Sequence, residues 1–92
     1  MKFTWDREKE RKNLAKHGFD FTTAVYVFDD PYCITEQDRE ADGEERWQTI
    51  GMIDGPRVLL VAHTFFEGDE LVEIISARKA TRHERKKYEK ST

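Results

Sequence analysis

The chain has a single cysteine, Cys33, among its 92 residues. A disulfide framework within the chain and a multi-cysteine zinc site are therefore both excluded. Long apolar runs are missing as well, since the longest, Val58 to Ala62, is much shorter than the ~20 residues that cross a bilayer. Charges begin at Lys2 with no apolar segment after them, unlike a secretory signal peptide. We therefore expect a cytoplasmic protein.

Sequence motifs for cofactor and metal chemistry are also missing. There is no glycine-rich phosphate loop, no Gly-x-Ser-x-Gly elbow and no dinucleotide fingerprint. The three histidines, His17, His63 and His83, lack the spacing of metal ligands. The acids from Glu36 to Glu45 do not follow the EF-hand pattern. We therefore expect neither a cofactor nor a bound metal.

Charge is abundant and unevenly distributed. The composition of 38% charged and 37% hydrophobic residues is that of one small globular domain, which we expect to span residues 1–92. The net charge is −3, yet residues 29–45 carry eight acids and one base, a local charge of −7. Residues 78–92 carry seven bases and two acids, a local charge of +5. Because a polyanion responds to such patches, the acidic net charge does not exclude nucleic-acid binding.

Three helices are predicted. Asp6 is a good N-cap for a helix from Arg7 to His17, and Gly18 stands where a left-handed residue ends it. A second helix begins after Asp20, and its apolar positions fall at i, i+3, i+4 and i+7 on one core face: Phe21, Ala24, Val25 and Phe28. Thr81 and Glu84 fit the capping box of a third helix.

Five stretches have the alternation or apolar character of strands: 2–5, 32–36, 46–53, 57–66 and 71–77. A polar loop is expected over 37–45, and short turns connect the last three strands into an antiparallel meander. The predicted order is β-α-α-β-β-β-β-α. This order predicts an α+β domain whose helices cover one face of a mostly antiparallel sheet.

Arg78 and the end of the first helix supply candidate functional residues. Arg78 follows the apolar run "IISA", where a rigidly held guanidinium suits phosphate recognition; an ion pair with the acidic 36–45 segment is the alternative. Lys16 and His17 end the first helix, where the helix dipole alone would explain two cations. His17 is equally a candidate acid or base, since histidine changes charge near neutral pH. His63 alternates with Leu59 and Val61 and is expected to be a core histidine.

Several segments together resemble the BrnT toxin family. "FTWDREKERKNLAKHGFDFTTAVYVFDDP" is similar to its opening, in which a W-D, a Lys, an Asn, a "KHG" and a helix ending "VF-x-D" recur in this order. "EERWQTIG" and "IISARKATRHERKKYE" match its middle and its most recognisable signature. Relatives commonly carry a basic residue at the position of Glu73. The resemblance covers nearly the whole chain.

The resemblance implies a RelE-like α+β fold with two N-terminal helices and one C-terminal helix. It also implies a ribonuclease toxin of a type II toxin–antitoxin system that cleaves RNA and inhibits translation. The implied partner is a BrnA-like antitoxin, which blocks the toxin in a heterotetramer and contacts operator DNA. The toxin itself would meet that DNA only through the antitoxin.

Metal-independent RNA cleavage uses the 2′-OH as its nucleophile, so the protein need supply only a base, an acid and cations. We hypothesise that Arg46 and Arg78 stabilise the phosphate and that His17 or Lys16 transfers protons. Glu45 is an alternative base. A competing hypothesis is a non-catalytic binding module that serves as the antitoxin's partner in a repressor.

Overall fold

The computed structural model describes residues 1–41, 43–66, 68 and 70–91. Its helices are α1 (Arg7–His17), α2 (Phe21–Ala24), which continues as a 3-10 helix (Val25–Asp29), and α3 (Arg82–Lys90). Its strands are β1 (Lys2–Trp5), β2 (Ile34–Ala41), β3 (Glu44–Asp54), β4 (Arg57–Phe66) and β5 (Leu71–Lys79). The predicted order of elements is confirmed. Within the described residues, no helix has both the length and the apolar character needed to cross a membrane.

The five strands form one mixed sheet in the order β1-β5-β4-β3-β2. The pairs β2–β3, β3–β4 and β4–β5 are antiparallel, which confirms the predicted meander. The pair β1–β5 is parallel, a feature that the sequence analysis does not anticipate. The first and last strands of the chain are thus neighbours, and everything between them forms the crossover.

Helices lie on both faces of the sheet. On one face, α2 and the 3-10 helix pack their buried side chains against Leu59 and Val61 of β4. On the other face, Tyr88 of α3 packs with Val58 and Leu60 of the same strand. The expectation that all helices cover one face is therefore wrong. Helices pack on both faces because β4 directs apolar side chains alternately toward each face, and both sets must be shielded from water.

The predicted loop over 37–45 is largely strand. β2 continues to Ala41, β3 begins at Glu44, and these two residues pair directly. Backbone hydrogen bonds hold this hairpin together although its side chains are mostly charged, so the apolar pattern did not reveal it. Residue 42 lies outside the described residues, as do residues 67 and 69 of the turn predicted over 67–70. β5 also runs two residues further than predicted and includes Arg78.

The second helix tightens after Ala24, which changes its buried face. A 3-10 helix has three residues per turn, so Phe21, Ala24 and Val27 line up and are each 0% exposed. The predicted positions Val25 and Phe28 are only half-buried. The 3-10 helix passes close to β3 at Gly51. A Cβ added there would lie 2.9 Å from both Cγ1 and O of Val27, so this close approach requires glycine.

The caps of α1 form as predicted. Asp6 accepts hydrogen bonds from the backbone N–H groups of Glu8 and Lys9, and Gly18 ends the helix in the left-handed region with φ 81°. Between these caps the helix buries one residue, Asn13. α1 is therefore a surface helix attached by a polar contact.

Asn13 completes the hydrogen bonding of β5 where β1 has ended. Its Nδ2 donates to the carbonyl of Ala77 at 2.9 Å, and its Oδ1 accepts from the Ala77 N–H at 3.1 Å. The same Nδ2 donates to the carbonyl of Phe19 at 2.9 Å. The side-chain amide thus replaces a backbone partner on β5 and fixes the turn after α1.

Replacing Asn13 by alanine would leave both backbone groups of Ala77 without a partner in the interior. Each buried polar group left unpaired costs about 1–3 kcal/mol, so we expect the free energy of unfolding to fall by roughly 2–6 kcal/mol. Urea unfolding followed by tryptophan fluorescence measures this loss. Leu14→Ala is the control, since Leu14 is 49% exposed, and should change stability by less than about 1 kcal/mol. Equal losses in the two variants would contradict this role of Asn13.

Candidate functional site

A groove forms where α1 runs beside the uncovered part of β5. β1 pairs with β5 only from Leu71 to Ile74, so the following residues of β5 meet α1 instead of a strand. The groove has a volume of about 320 Å³. Its lining includes Lys9, Lys12, Lys16 and His17 from α1, with Ile75 and Ser76 from β5. Lys16 and His17, both candidates from the sequence, therefore lie in one groove.

Arg78 lies on β5 two residues after Ser76, on the same face of the strand. Its guanidinium donates to both carboxylate oxygens of Glu84, with Nη1–Oε1 at 2.8 Å and Nη2–Oε2 at 2.9 Å. Among the described residues, Arg78 therefore pairs with α3 and not with the acidic 36–45 segment. Such a bidentate pair fixes both the position and the plane of the guanidinium.

Glu84 holds two structural roles at once. The predicted capping box is present: the Glu84 carboxylate accepts from the Thr81 N–H at 2.8 Å, and the Thr81 hydroxyl accepts from the Glu84 N–H at 3.2 Å. The hydrogen bonds from Arg78 are the main cause that lowers the pKa of Glu84 to about 2. Glu84 therefore stays charged across the physiological range. Its pairing with Arg78 is the contact that sequence reasoning missed.

Arg46 and Glu45 do not form one site. Neighbouring residues of a strand point to opposite faces, so Glu45 faces away from Arg46 along β3. Nη2 of Arg46 instead lies 3.9 Å from Oε1 of Glu44. Glu44 and Glu45 line a separate cleft of about 340 Å³ with Trp47 and other residues. Two carboxylates at this cleft would repel a phosphate.

Arg46 shares a sheet face with Arg78 but not its position along the strands. Arg78 lies opposite Leu60, whereas Arg46 immediately precedes Trp47, which lies opposite His63. Four residues of strand correspond to ~13 Å. Throughout the part of the chain that the structure describes, no hydrogen bond or ion pair joins any two of the five candidates: Lys16, His17, Glu45, Arg46 and Arg78.

The other two histidines lie away from this groove. His63 is 0% exposed, and its Nε2 lies 2.8 Å from the hydroxyl of Thr49. Burial lowers the pKa of His63 to about 4, so the ring is neutral at physiological pH. The prediction of a core histidine is confirmed. His83 is exposed on α3, which leaves His17 as the histidine that lines the groove.

Comparison with known proteins identifies a matching family model and a similar solved structure. A family model described as "Ribonuclease toxin, BrnT, of type II toxin-antitoxin system" matches residues 5–84. The chain is also similar to the crystal structure of the Brucella abortus ribonuclease toxin BrnT, with 30% sequence identity and a TM-score of 0.68. That match covers 89% of this chain and 99% of the Brucella chain. Among curated proteins, none matches.

Removing Arg78 should release the carboxylate of Glu84. In Arg78→Ala we expect the pKa of Glu84 to rise from about 2 toward its ordinary value, because the strongest bonds to its charged form are lost. A carbon-detected NMR titration of the Glu84 carboxyl measures this change. Lys79→Ala removes a charge from the neighbouring, oppositely directed position and should leave the pKa low.

The same pair makes stability depend on pH. The folded pKa of Glu84 lies below its ordinary value of 4.5, so the pair's contribution is present above pH 4.5 and is lost as the pH falls toward 2. This loss should be smaller in Arg78→Ala. A Glu84 carboxyl that titrates near pH 4.5 in the unmodified protein would show that the pair does not form in solution.

Proposed function

The chain belongs to the BrnT family of type II toxin–antitoxin ribonuclease toxins, and from this premise we propose that it is an endoribonuclease that inhibits translation and growth by cleaving RNA. The observation that carries the proposal is the groove in which Lys16 and His17 lie beside Ser76, two residues before Arg78. At one edge of the sheet, this groove offers a side chain that can transfer protons. It also offers several cations that can bind a phosphate. These are the parts that metal-independent RNA cleavage requires.

In the proposed reaction the 2′-oxygen of the RNA attacks the adjacent phosphorus and the bond to the 5′-oxygen breaks. The 2′-OH proton passes to a base and another proton reaches the departing 5′-oxygen, leaving a 2′,3′-cyclic phosphate and a 5′-OH. His17 or Lys16 performs these proton transfers. Arg78 stabilises the charge that develops on the phosphate oxygens. Arg46, on the same sheet face, contacts the RNA farther along. Glu45 is the alternative base, although the two carboxylates of its cleft make it a poorer site for a phosphate than the lysine-lined groove.

Arg78 can bind a phosphate without giving up Glu84. A guanidinium has five N–H donors. In the described structure Nη1 donates to Glu84 and to the carbonyl of Lys79, and Nη2 donates one hydrogen to Glu84. Nε–H and the second hydrogen of Nη2 are left, and together they form the side-on fork that matches two phosphate oxygens.

The proposal extends to partners and setting. A type II toxin implies an antitoxin partner. We propose that this partner is BrnA-like, that the two form a heterotetramer, and that operator DNA is reached only through the antitoxin. We further propose a cytoplasmic protein with a RelE-like fold and no need of a cofactor or metal.

A second candidate function is a non-catalytic partner of the antitoxin. One observation favours this function: Glu84 already accepts hydrogen bonds from Nη1 and Nη2 of Arg78, the two nitrogens that a phosphate would otherwise bind end-on. Expression of the chain alone separates the two functions. Growth arrest with RNA cleavage, relieved by the antitoxin, supports the ribonuclease; folded protein that is harmless when expressed supports the binding partner.

Substitutions in the groove test the assignment of roles. We expect His17→Ala to slow RNA cleavage by about 10²- to 10⁴-fold, because a positioned acid or base is lost. We expect Arg78→Ala to slow it by about 10²- to 10³-fold, because stabilisation of the phosphate charge is lost. Cleavage is measured on purified RNA and on RNA from induced cells, together with growth.

The control is His83→Ala, which removes an exposed histidine of α3 and should leave cleavage and growth arrest unchanged. Circular dichroism shows whether each variant is folded. Full activity in both His17→Ala and Arg78→Ala would overturn the assignment.

A further inference from the structure

Two lysines of the groove, Lys9 and Lys12, have no part in the proposed chemistry. They lie on the same side of α1 as Lys16, because residues spaced by three, four and seven share one face of a helix. Together with Lys16 and His17 they line the wall of the groove that faces Ser76. Every charged or titratable side chain along its described lining is thus basic.

The acids of α1 form no ion pair with these lysines. Glu8 pairs with Arg11 and attracts Lys12 only through a weaker interaction between their charges. The Glu10 carboxylate accepts from the Trp5 indole at 3.2 Å and from the Phe21 N–H at 2.8 Å. In residues 1–41, 43–66, 68 and 70–91, no ion pair involves Lys9, Lys12 or Lys16.

The helix dipole does not account for Lys9 either. Cations are favoured in the last turn of a helix, which here holds Lys16 and His17. Lys9 lies in the first turn, close to the positive end of the same dipole, where a cation is disfavoured. These lysines form no ion pair, the first of them is disfavoured by the dipole, and all three line a concave surface, which together indicate an anionic ligand.

We propose that Lys9 and Lys12 bind the backbone phosphates of a single RNA strand that lies along α1 and leads to His17 and Arg78. From Lys9 to Lys16 the helix advances ~10 Å. A row of cations along this length can contact successive backbone phosphates of one strand. The inference rests on the proposed ribonuclease function and adds to it the path of the substrate.

The test is the salt dependence of RNA binding. The probe is a short, mixed-sequence, single-stranded RNA with 2′-O-methyl groups, which lacks the internal nucleophile and cannot be cleaved by the proposed reaction. Binding is followed by fluorescence anisotropy between 50 and 200 mM salt. Each phosphate contact contributes about 0.7 to the slope of log Kobs against log salt concentration. We therefore expect the slope to shrink by about 0.7 in Lys9→Gln and in Lys12→Gln, and by about 1.4 in the double variant.

A matched control is available on the same helix. Arg11→Gln removes one positive charge, as the lysine variants do, but Arg11 lies on the opposite face of α1 and pairs with Glu8. Its slope should equal that of the unmodified protein. An equal decrease in Arg11→Gln would show that only overall charge matters and would overturn the inference.

Cleavage of unmodified RNA, measured in parallel, separates this inference from the proposed function. Lys9→Gln and Lys12→Gln should raise KM and leave kcat unchanged. If no RNA is cleaved but the slopes shrink as expected, the groove binds RNA and only the catalytic proposal fails. If RNA is cleaved but the lysine variants have the same salt slope and KM as the unmodified protein, the inference fails and the catalytic proposal stands. Lysine variants that bind RNA normally but no longer bind the antitoxin would also overturn the inference, since the groove would then be a protein-binding surface.

Discussion

The side-chain amide of Asn13 is the contact on which the rest of the site depends. β1 ends while β5 continues, and Asn13 supplies the two hydrogen bonds that the missing stretch of strand would have made to Ala77. Because its third hydrogen bond holds Phe19, the amide also fixes the rotation of α1 about its axis. That rotation directs Lys9, Lys12 and Lys16 toward the groove. A polar contact thus positions a helix that has almost no apolar face.

On the other side of β5, a single carboxylate connects stability with the proposed function. Glu84 begins α3 through the capping box and holds Arg78 through a bidentate pair. The guanidinium is therefore fixed in advance, and a phosphate that binds it need not pay the full entropy of ordering a long side chain. The charge on Glu84 also reduces the local positive potential, so in the proposed RNA complex the lysines of α1 supply most of the attraction.

Local signals in the sequence predicted local structure well. The helix caps at Asp6, Gly18 and the Thr81–Glu84 capping box are predicted correctly because each depends only on residues nearby in the sequence. The strands β2 and β3 are predicted, but their extension through 37–45 is not, because charged side chains conceal strands that are held by backbone hydrogen bonds. The placement of helices on both faces was missed because it depends on distant packing. Residue type and position make Lys16, His17 and Arg78 candidates for the site, whereas the Arg78–Glu84 pair depends on α3 folding back onto β5.

The proposed RNA-binding surface is the groove between α1 and β5. It can be mapped by the NMR chemical shifts of the ¹⁵N-labelled protein on addition of a 2′-O-methyl RNA strand. We expect the largest amide shifts in α1 from Lys9 to His17 and in β5 from Ile75 to Arg78. Shifts centred on Glu44, Glu45 and Trp47 at the acidic cleft, or no shifts at a concentration that saturates binding, would contradict it.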